Sequence, residues 1–177
     1  MWGPGIDYSG RNLSGRDFRW LDFTGAKFVG ANLTGSNLRG TGFGRADFTG
    51  ANLTGTELRD TNFSDATLTD ATFTDAWFTA STVWPQGFDP SDKGMWGPGV
   101  DFTGRNLSSR DFRWLDFTGA KFVGASLVNC TVRGTGFGGA DLTGADLSGS
   151  ELRDTNFSGA TLTGATFTGA WFTSSTV

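Results

Sequence analysis

The sequence predicts an all-β coil with four sides per turn, written twice along the chain as two units of about four coils each. Three observations carry this. A large apolar residue returns at every fifth position, other residue types return at every twentieth, and the stretch RDFRWLDFTGAKFVGA fills residues 16–31 and again, unchanged, residues 110–125.

The five-residue period starts at Tyr8 and runs through Leu13, Phe18, Phe23 and Phe28 to Phe78 and Val83, sixteen consecutive positions. Two residues before most of these central residues stands a small one, such as Ala26, Ala31, Ala46 or Ala51. A period of five matches neither the 3.6 of a helix nor the 2 of a strand. It fits a chain that turns a corner every five residues and points one bulky and one small residue inward on each side. Glycines and short polar residues between them suit repeated tight turns. The longer period gives the number of sides. Arg19, Arg39 and Arg59 follow their central residues at steps of twenty, and Asn12, Asn32 and Asn52 precede theirs at the same step. Twenty residues therefore make one coil, and coils stacked at a strand spacing of about 4.8 Å would make a four-coil stub of roughly 19 Å.

The second run of central residues goes from Phe102 to Val177, again sixteen, and 64 of 83 positions match when residues 1–83 are laid on residues 95–177. The domain organisation is thus a first unit at 1–83, a capping loop and linker at 84–99, and a second unit at 100–177. The middle segment WPQGFDPSDKGMWGPG holds three of the four prolines and breaks the register. In the first coil of each unit the small positions become Ile6, Arg11, Arg16 and Leu21, then Val100, Arg105, Arg110 and Leu115. Larger residues there predict covered ends, with arginine stems over the core and their heads in water. Trp84, Pro85 and Phe88 would fold under the first unit. No such segment follows Val177. A bare end exposes apolar side chains and strand edges, so two expectations stand: a homodimer through the C-terminal coil, or a shortened chain.

The phrases ADFTG, ANLTG, ADLTG and ADLSG fit the loose motif A-(D/N)-L-x-x. On these residues the chain resembles the pentapeptide repeat family, over Ile6 to Val83 and Val100 to Val177. The resemblance implies a right-handed quadrilateral β-solenoid with four pentapeptides per coil, and no single role. Some members imitate the DNA duplex in shape and negative charge, bind DNA gyrase, and protect it from quinolones or peptide toxins. Those are long, strongly acidic rods that dimerise through a C-terminal helical piece. This chain departs from them in its weak net charge of -4, its arginine columns, its linker and the absence of such a helical piece.

Composition narrows the function classes. With 17 Phe and 7 Trp the chain is too aromatic for a disordered protein. A pI near 4.7 argues against direct binding of nucleic acid or anionic membrane. The absence of His removes Ser-His-Asp and Cys-His arrangements and His-based metal sites. GTGFGRA, residues 40–46, lacks the lysine of a phosphate loop. The expectation is no enzyme and no cofactor. The single Cys130 makes no internal disulfide, and no apolar run suits a signal peptide or a membrane span, so a soluble, cytoplasmic protein is expected.

One face stands out. Arg19, Arg39 and Arg59 should stack along it, repeated as Arg113, Arg133 and Arg153, with Trp20 and Trp114 beside the first member of each column. The same sides carry Asp17, Asn37 and Glu57, then Asp111, Thr131 and Glu151. Either these are surface ion pairs that contribute little each, or the face binds an anion or a protein. Trp77 and Trp171 also lie on it. Trp77 has a following loop to pack on, which makes Trp171 the better candidate for a partner contact. The functional expectation is a rigid scaffold for a protein partner whose identity the sequence does not give. A DNA-mimicking ligand of gyrase is the alternative, and a threonine-array ice binder, interrupted at Val128, is a third.

Overall fold

The computed structural model describes all residues, Met1–Val177. Its unit is a tight turn. At the first full one, Arg11 N–H donates to the Tyr8 carbonyl at 3.1 Å. Gly10 between them has φ +65°, the one positive φ of the turn and the mark of type II geometry. A left-handed residue recurs at every corner except the final turn of each unit, and glycine fills most of them. In the first unit Trp20, Arg45, Asp60, Asp65, Asp70 and Asp75 take that conformation instead. Asp tolerates it through its short polar side chain; tryptophan has no such excuse.

Between corners the chain pairs with the next coil. Parallel bridges join Asp7 to Lys27, Lys27 to Asp47 and Asp47 to Thr67, and the other sides do likewise at the same spacing of twenty. Tyr8 N–H donates to the Lys27 carbonyl at 2.7 Å, and Lys27 N–H donates to the Ile6 carbonyl at 3.0 Å. Asp or Asn just before a central residue steadies the turn, as where Thr49 N–H donates to Asp47 Oδ1 at 2.9 Å. The one helical element is a 3-10 turn, Pro90–Asp92, capped by Asp89.

The core is a stack of aromatic ladders. Phe23, Phe43 and Phe63 lie parallel at centroid distances of 5.5 and 5.3 Å. Phe28 and Phe48 form a second ladder at 4.8 Å, and Phe43 meets Phe48 edge to face at 4.9 Å. Threonines at small positions are buried without an orphaned hydroxyl. Thr41 and Thr61 Oγ1 donate to the carbonyls of Phe18 and Leu38 at 2.8 Å each, carbonyls that also accept the turn N–H of Leu21 and Thr41, so each buried hydroxyl is paired. Cys130 does the same through Sγ to the Leu107 carbonyl.

The chain divides into two compact units, Met1–Trp96 and Gly97–Val177. In the first, the N-terminal end is covered by Trp2, whose ring lies 4.9 Å from Phe18 and 5.4 Å from Tyr8. Gly3 N–H donates to Tyr8 Oη at 3.0 Å. Sequence reading did not assign this indole cover; Arg11 and Arg16 are exposed. An indole fills the square opening, whereas an arginine gains more by keeping its head in water.

The other end holds a correction. Asn62 bridges Val83, a spacing of twenty-one, because the turn after Phe78 carries one extra residue and closes from Thr82 N–H to the Thr79 carbonyl. Val83 is therefore pushed outward, 47% exposed, and Trp84 takes the central position, parallel to Phe63 at 5.4 Å. Phe88 stacks on Trp84 at 4.8 Å and meets Phe73 at 5.5 Å. Trp96 then bridges Trp77, and Phe78 N–H donates to the Trp96 carbonyl at 3.0 Å. Residues 84–96 thus extend the coil stack of the first unit, leaving a shallow groove of about 490 Å³ beside Leu68, Phe88 and Lys93.

The second unit repeats the plan, including the extra residue. Phe157 N–H donates to the Val177 carbonyl at 2.6 Å, and Val177 is exposed rather than central. Its last-coil residues are open: Leu162 is 38% and Phe172 52% exposed.

Candidate interaction face

The arginine columns form as the twenty-residue period requires. Trp20 N–H donates to the Arg39 carbonyl at 3.1 Å and Gly40 N–H to the Arg59 carbonyl at 2.9 Å, which stacks the three arginine positions of the first unit. Each guanidinium then finds a carboxylate by the route its own side allows. Arg19 grips Asp17 with two parallel bonds, Nε to Oδ1 at 2.9 Å and Nη2 to Oδ2 at 2.7 Å. That side-chain bonding holds the Asp17 carboxyl below its ordinary range and lifts Arg19 above its own. Asn37 offers Arg39 no charge, so Arg39 reaches down to Asp60 at 3.3 Å. Arg59 pairs with Glu57 at 2.5 Å and lies 4.4 Å from the centre of the Trp77 ring.

In the second unit Arg113 pairs with Asp111 at 2.6 Å, Arg133 with Asp154 at 3.3 Å, and Arg153 with Glu151. Every arginine of both columns is thus matched by a carboxylate. Asp60 and Asp154 were the partners that sequence reading missed. The signal was present: an uncharged Asn37 or Thr131 beside an arginine, with an acid twenty-one residues further on.

The tryptophans have a different placement. Trp20 sits at a left-handed corner, φ +62°, with its indole flat over the next coil. A Cβ at Gly40 would lie 2.0 Å from Trp20 Cε3, and one at Gly134 would lie 2.2 Å from Trp114 Cε3. Glycine at those two positions is what lets the rings lie down. Arg39 and Arg133 flank the rings, at 5.7 and 5.9 Å from their centres. Even so, Trp20 remains 65% and Trp114 58% exposed. Trp77 is half-buried, whereas Trp171 is 68% exposed. The structure therefore brings Arg19, Arg39, Arg59 and Trp20 together in one unit, and Arg113, Arg133, Arg153, Trp114 and Trp171 in the other.

No group of three or more carboxylate or cysteine side chains converges as a metal site would need. Cys130 is buried, which pushes its thiol pKa up and away from reactivity. No helix is long and apolar enough to cross a membrane.

Coils of four five-residue sides, an aromatic ladder inside and paired charges outside define a quadrilateral β-solenoid of the repeat-protein class. The model of the Pentapeptide repeats family matches residues 9–40, 46–82, 99–134 and 138–176, in eight copies, and the chain belongs to that family. Its members adopt a right-handed quadrilateral β-helix, and they are in general structural and interaction proteins rather than catalysts. No curated protein matches the chain. Among solved structures it is similar to the pentapeptide repeat protein Rfr23 of the cyanobacterium Cyanothece 51142, at 17% identity over 98% of this chain and 88% of that one, TM-score 0.30. It is similar also to HetL of Nostoc sp. strain PCC 7120, a protein involved in heterocyst differentiation regulation, at 28% identity over 94% and 81%, TM-score 0.30. A third is QnrB1, a plasmid-mediated fluoroquinolone resistance protein, at 17% identity over 95% and 94%, TM-score 0.37.

Proposed function

We propose that the protein is a non-catalytic scaffold that binds a protein partner through the Arg and Trp face. The carrying observation is the pair of exposed indoles, Trp20 and Trp114, each laid flat on a glycine of the next coil. A corner normally held by glycine gives up conformational ease to display a large aromatic surface. Tryptophan and arginine dominate binding hot spots, and a ring already fixed loses little entropy when a partner covers it. The ion pairs around it form a polar rim with satisfied charges.

The gyrase-binding reading has weaker support. Imitating a DNA duplex calls for bands of unpaired negative charge, whereas here carboxylates and guanidinium groups cancel along each column. Purified protein in a gyrase supercoiling assay, with and without a quinolone, separates the two. The scaffold reading predicts no inhibition and no protection at micromolar protein; either effect at that concentration would favour the gyrase ligand. A photo-crosslinking residue at Asn37 or Thr131, on the arginine-bearing sides, would then capture the partner, and the Trp20→Ala/Trp114→Ala variant should lose it while keeping its circular dichroism. Unchanged capture by that variant would remove this face from the account.

A further inference from the structure

We propose that each indole of the Arg and Trp face, with the aspartate two residues after it, seats one arginine side chain of the partner. The inference rests on that face being the binding surface, and it names what the surface takes. Trp-Leu-Asp stands at 20–22 and again at 114–116, and Gly-Thr-Gly lies one coil on, at 40–42 and 134–136. The Trp and the Asp each lie down on a glycine of that next coil. A Cβ at Gly40 would meet Trp20 Cε3 at 2.0 Å, and one at Gly42 would lie 3.5 Å from Asp22 Oδ1. In the second unit Gly134 stands in the same way 2.2 Å from Trp114 Cε3, and Gly136 3.7 Å from Asp116 Oδ1. Two residues of chain span at most about 7 Å, so ring and carboxylate are within reach of one side chain. Thr41 and Thr135, between the glycines, are buried and do not stand between them.

Charge decides what the seat takes. Beside Trp20, Arg19 is matched by Asp17 at 2.7 Å and Arg39 by Asp60 at 3.3 Å. Beside Trp114, Arg113 is matched by Asp111 at 2.6 Å and Arg133 by Asp154 at 3.3 Å. Asp22 and Asp116 are left over, and neither carboxylate is ion-paired. Thr24 N–H and Oγ1 donate to Asp22 Oδ1 at 2.8 and 2.6 Å, and Thr118 N–H donates to Asp116 Oδ1 at 2.9 Å. Each Oδ1 is thereby held in place, while each Oδ2 has no partner. The Thr24 bonds also hold the Asp22 carboxyl below its ordinary range, which keeps it charged at neutral pH. One face of each indole is spent on its glycine and the other is open. An open π face beside an unpaired carboxylate attracts a cation. A guanidinium fits better than an ammonium, because its plane stacks on the ring while an edge N–H donates to Oδ2.

The probe is acetyl-arginine methylamide, titrated at constant ionic strength into the full chain labelled for nitrogen NMR. The indole Nε1–H signals of Trp20 and Trp114, assigned with Trp20→Phe and Trp114→Phe, are the readout. The expected result is a saturable shift of both signals and little response to the uncharged citrulline derivative. Asp22→Asn should weaken binding at Trp20 alone, and Asp116→Asn at Trp114 alone, by about threefold to fivefold each. Asparagine keeps the Oδ1 acceptor, as Asn32 does for Thr34 at 3.0 Å, so both variants should stay folded. No shift, an equal response to citrulline, or unchanged affinity in the two Asn variants overturns the proposal. Equal affinity for the lysine derivative overturns the choice of guanidinium. These failures leave the face itself standing as long as Trp20→Ala/Trp114→Ala loses the crosslinked partner; unchanged capture by that variant removes the face and the seat together.

Discussion

Trp20 occupies a corner conformation that favours glycine, and the glycine it displaces reappears one coil on, at Gly40, where its ring comes to rest. Gly40→Ala should therefore cost on two counts, a side chain at φ +66° and a Cβ driven into the indole. The expected loss is about 1–3 kcal/mol, read by guanidinium denaturation, with a shift in tryptophan emission as the ring lifts. Adding Trp20→Gly should restore part of that stability. The carboxylates work at the same scale. The Thr49 hydroxyl and N–H donate to Asp47 and hold its pKa below the ordinary 3.8. A lowered folded pKa means its contribution is fully present above 3.8 and is lost as pH falls through the folded value. Asn in the same position keeps the acceptor, as Asn32 does for Thr34 at 3.0 Å. Asp47→Asn should thus flatten the fall of the urea midpoint in acid while leaving the neutral midpoint nearly unchanged. The columns of charge were legible residue by residue, but the reach of Arg39 to Asp60 was not. A corner acid reads as a solvated rim until its backbone turns it toward the neighbouring column.

The five-residue side was legible as an element because its period belongs to no helix or strand. The final turn was not, because Val83 sits five residues after Phe78 and mimics a central residue. The turn sequence itself sets the slip, since both units share it: Thr82 Oγ1 donates to the Leu58 carbonyl as Thr176 Oγ1 does to the Leu152 carbonyl. Trp84, one step later, then covers the square end of Phe63. Deleting Ala80 removes the extra residue, so it should restore the twenty-residue spacing and leave Trp84 central, now five residues after Phe78. Trp84→Ala should cost about 3 kcal/mol in chemical denaturation of the first unit, and the Ala80 deletion much less. Equal losses in the two variants would contradict the slipped register. The cover by Trp2 was hidden for a related reason: it precedes the repeat, and periodicity says nothing about residues outside the period.

At the scale of the whole molecule, a coil within either unit touches only its neighbours, so the stability of each unit adds up coil by coil and the surface is free to vary. That freedom explains why architecture was readable from the sequence and the partner was not. The inward residues obey one rule repeated over both units, whereas the face that would meet a partner departs from the rule at Trp20, Trp114 and Trp171. The central claim is that every twenty residues complete one coil, and it is tested most directly by through-hydrogen-bond scalar couplings in a labelled sample. The account predicts correlations from Phe28 N to the Asp47 carbonyl and from Asp47 N to the Ala26 carbonyl, offsets of +19 and -21, repeated as Phe122 to Asp141 and Asp141 to Ala120. Couplings at hairpin or helical offsets, or none at these spacings in a folded sample, would contradict it.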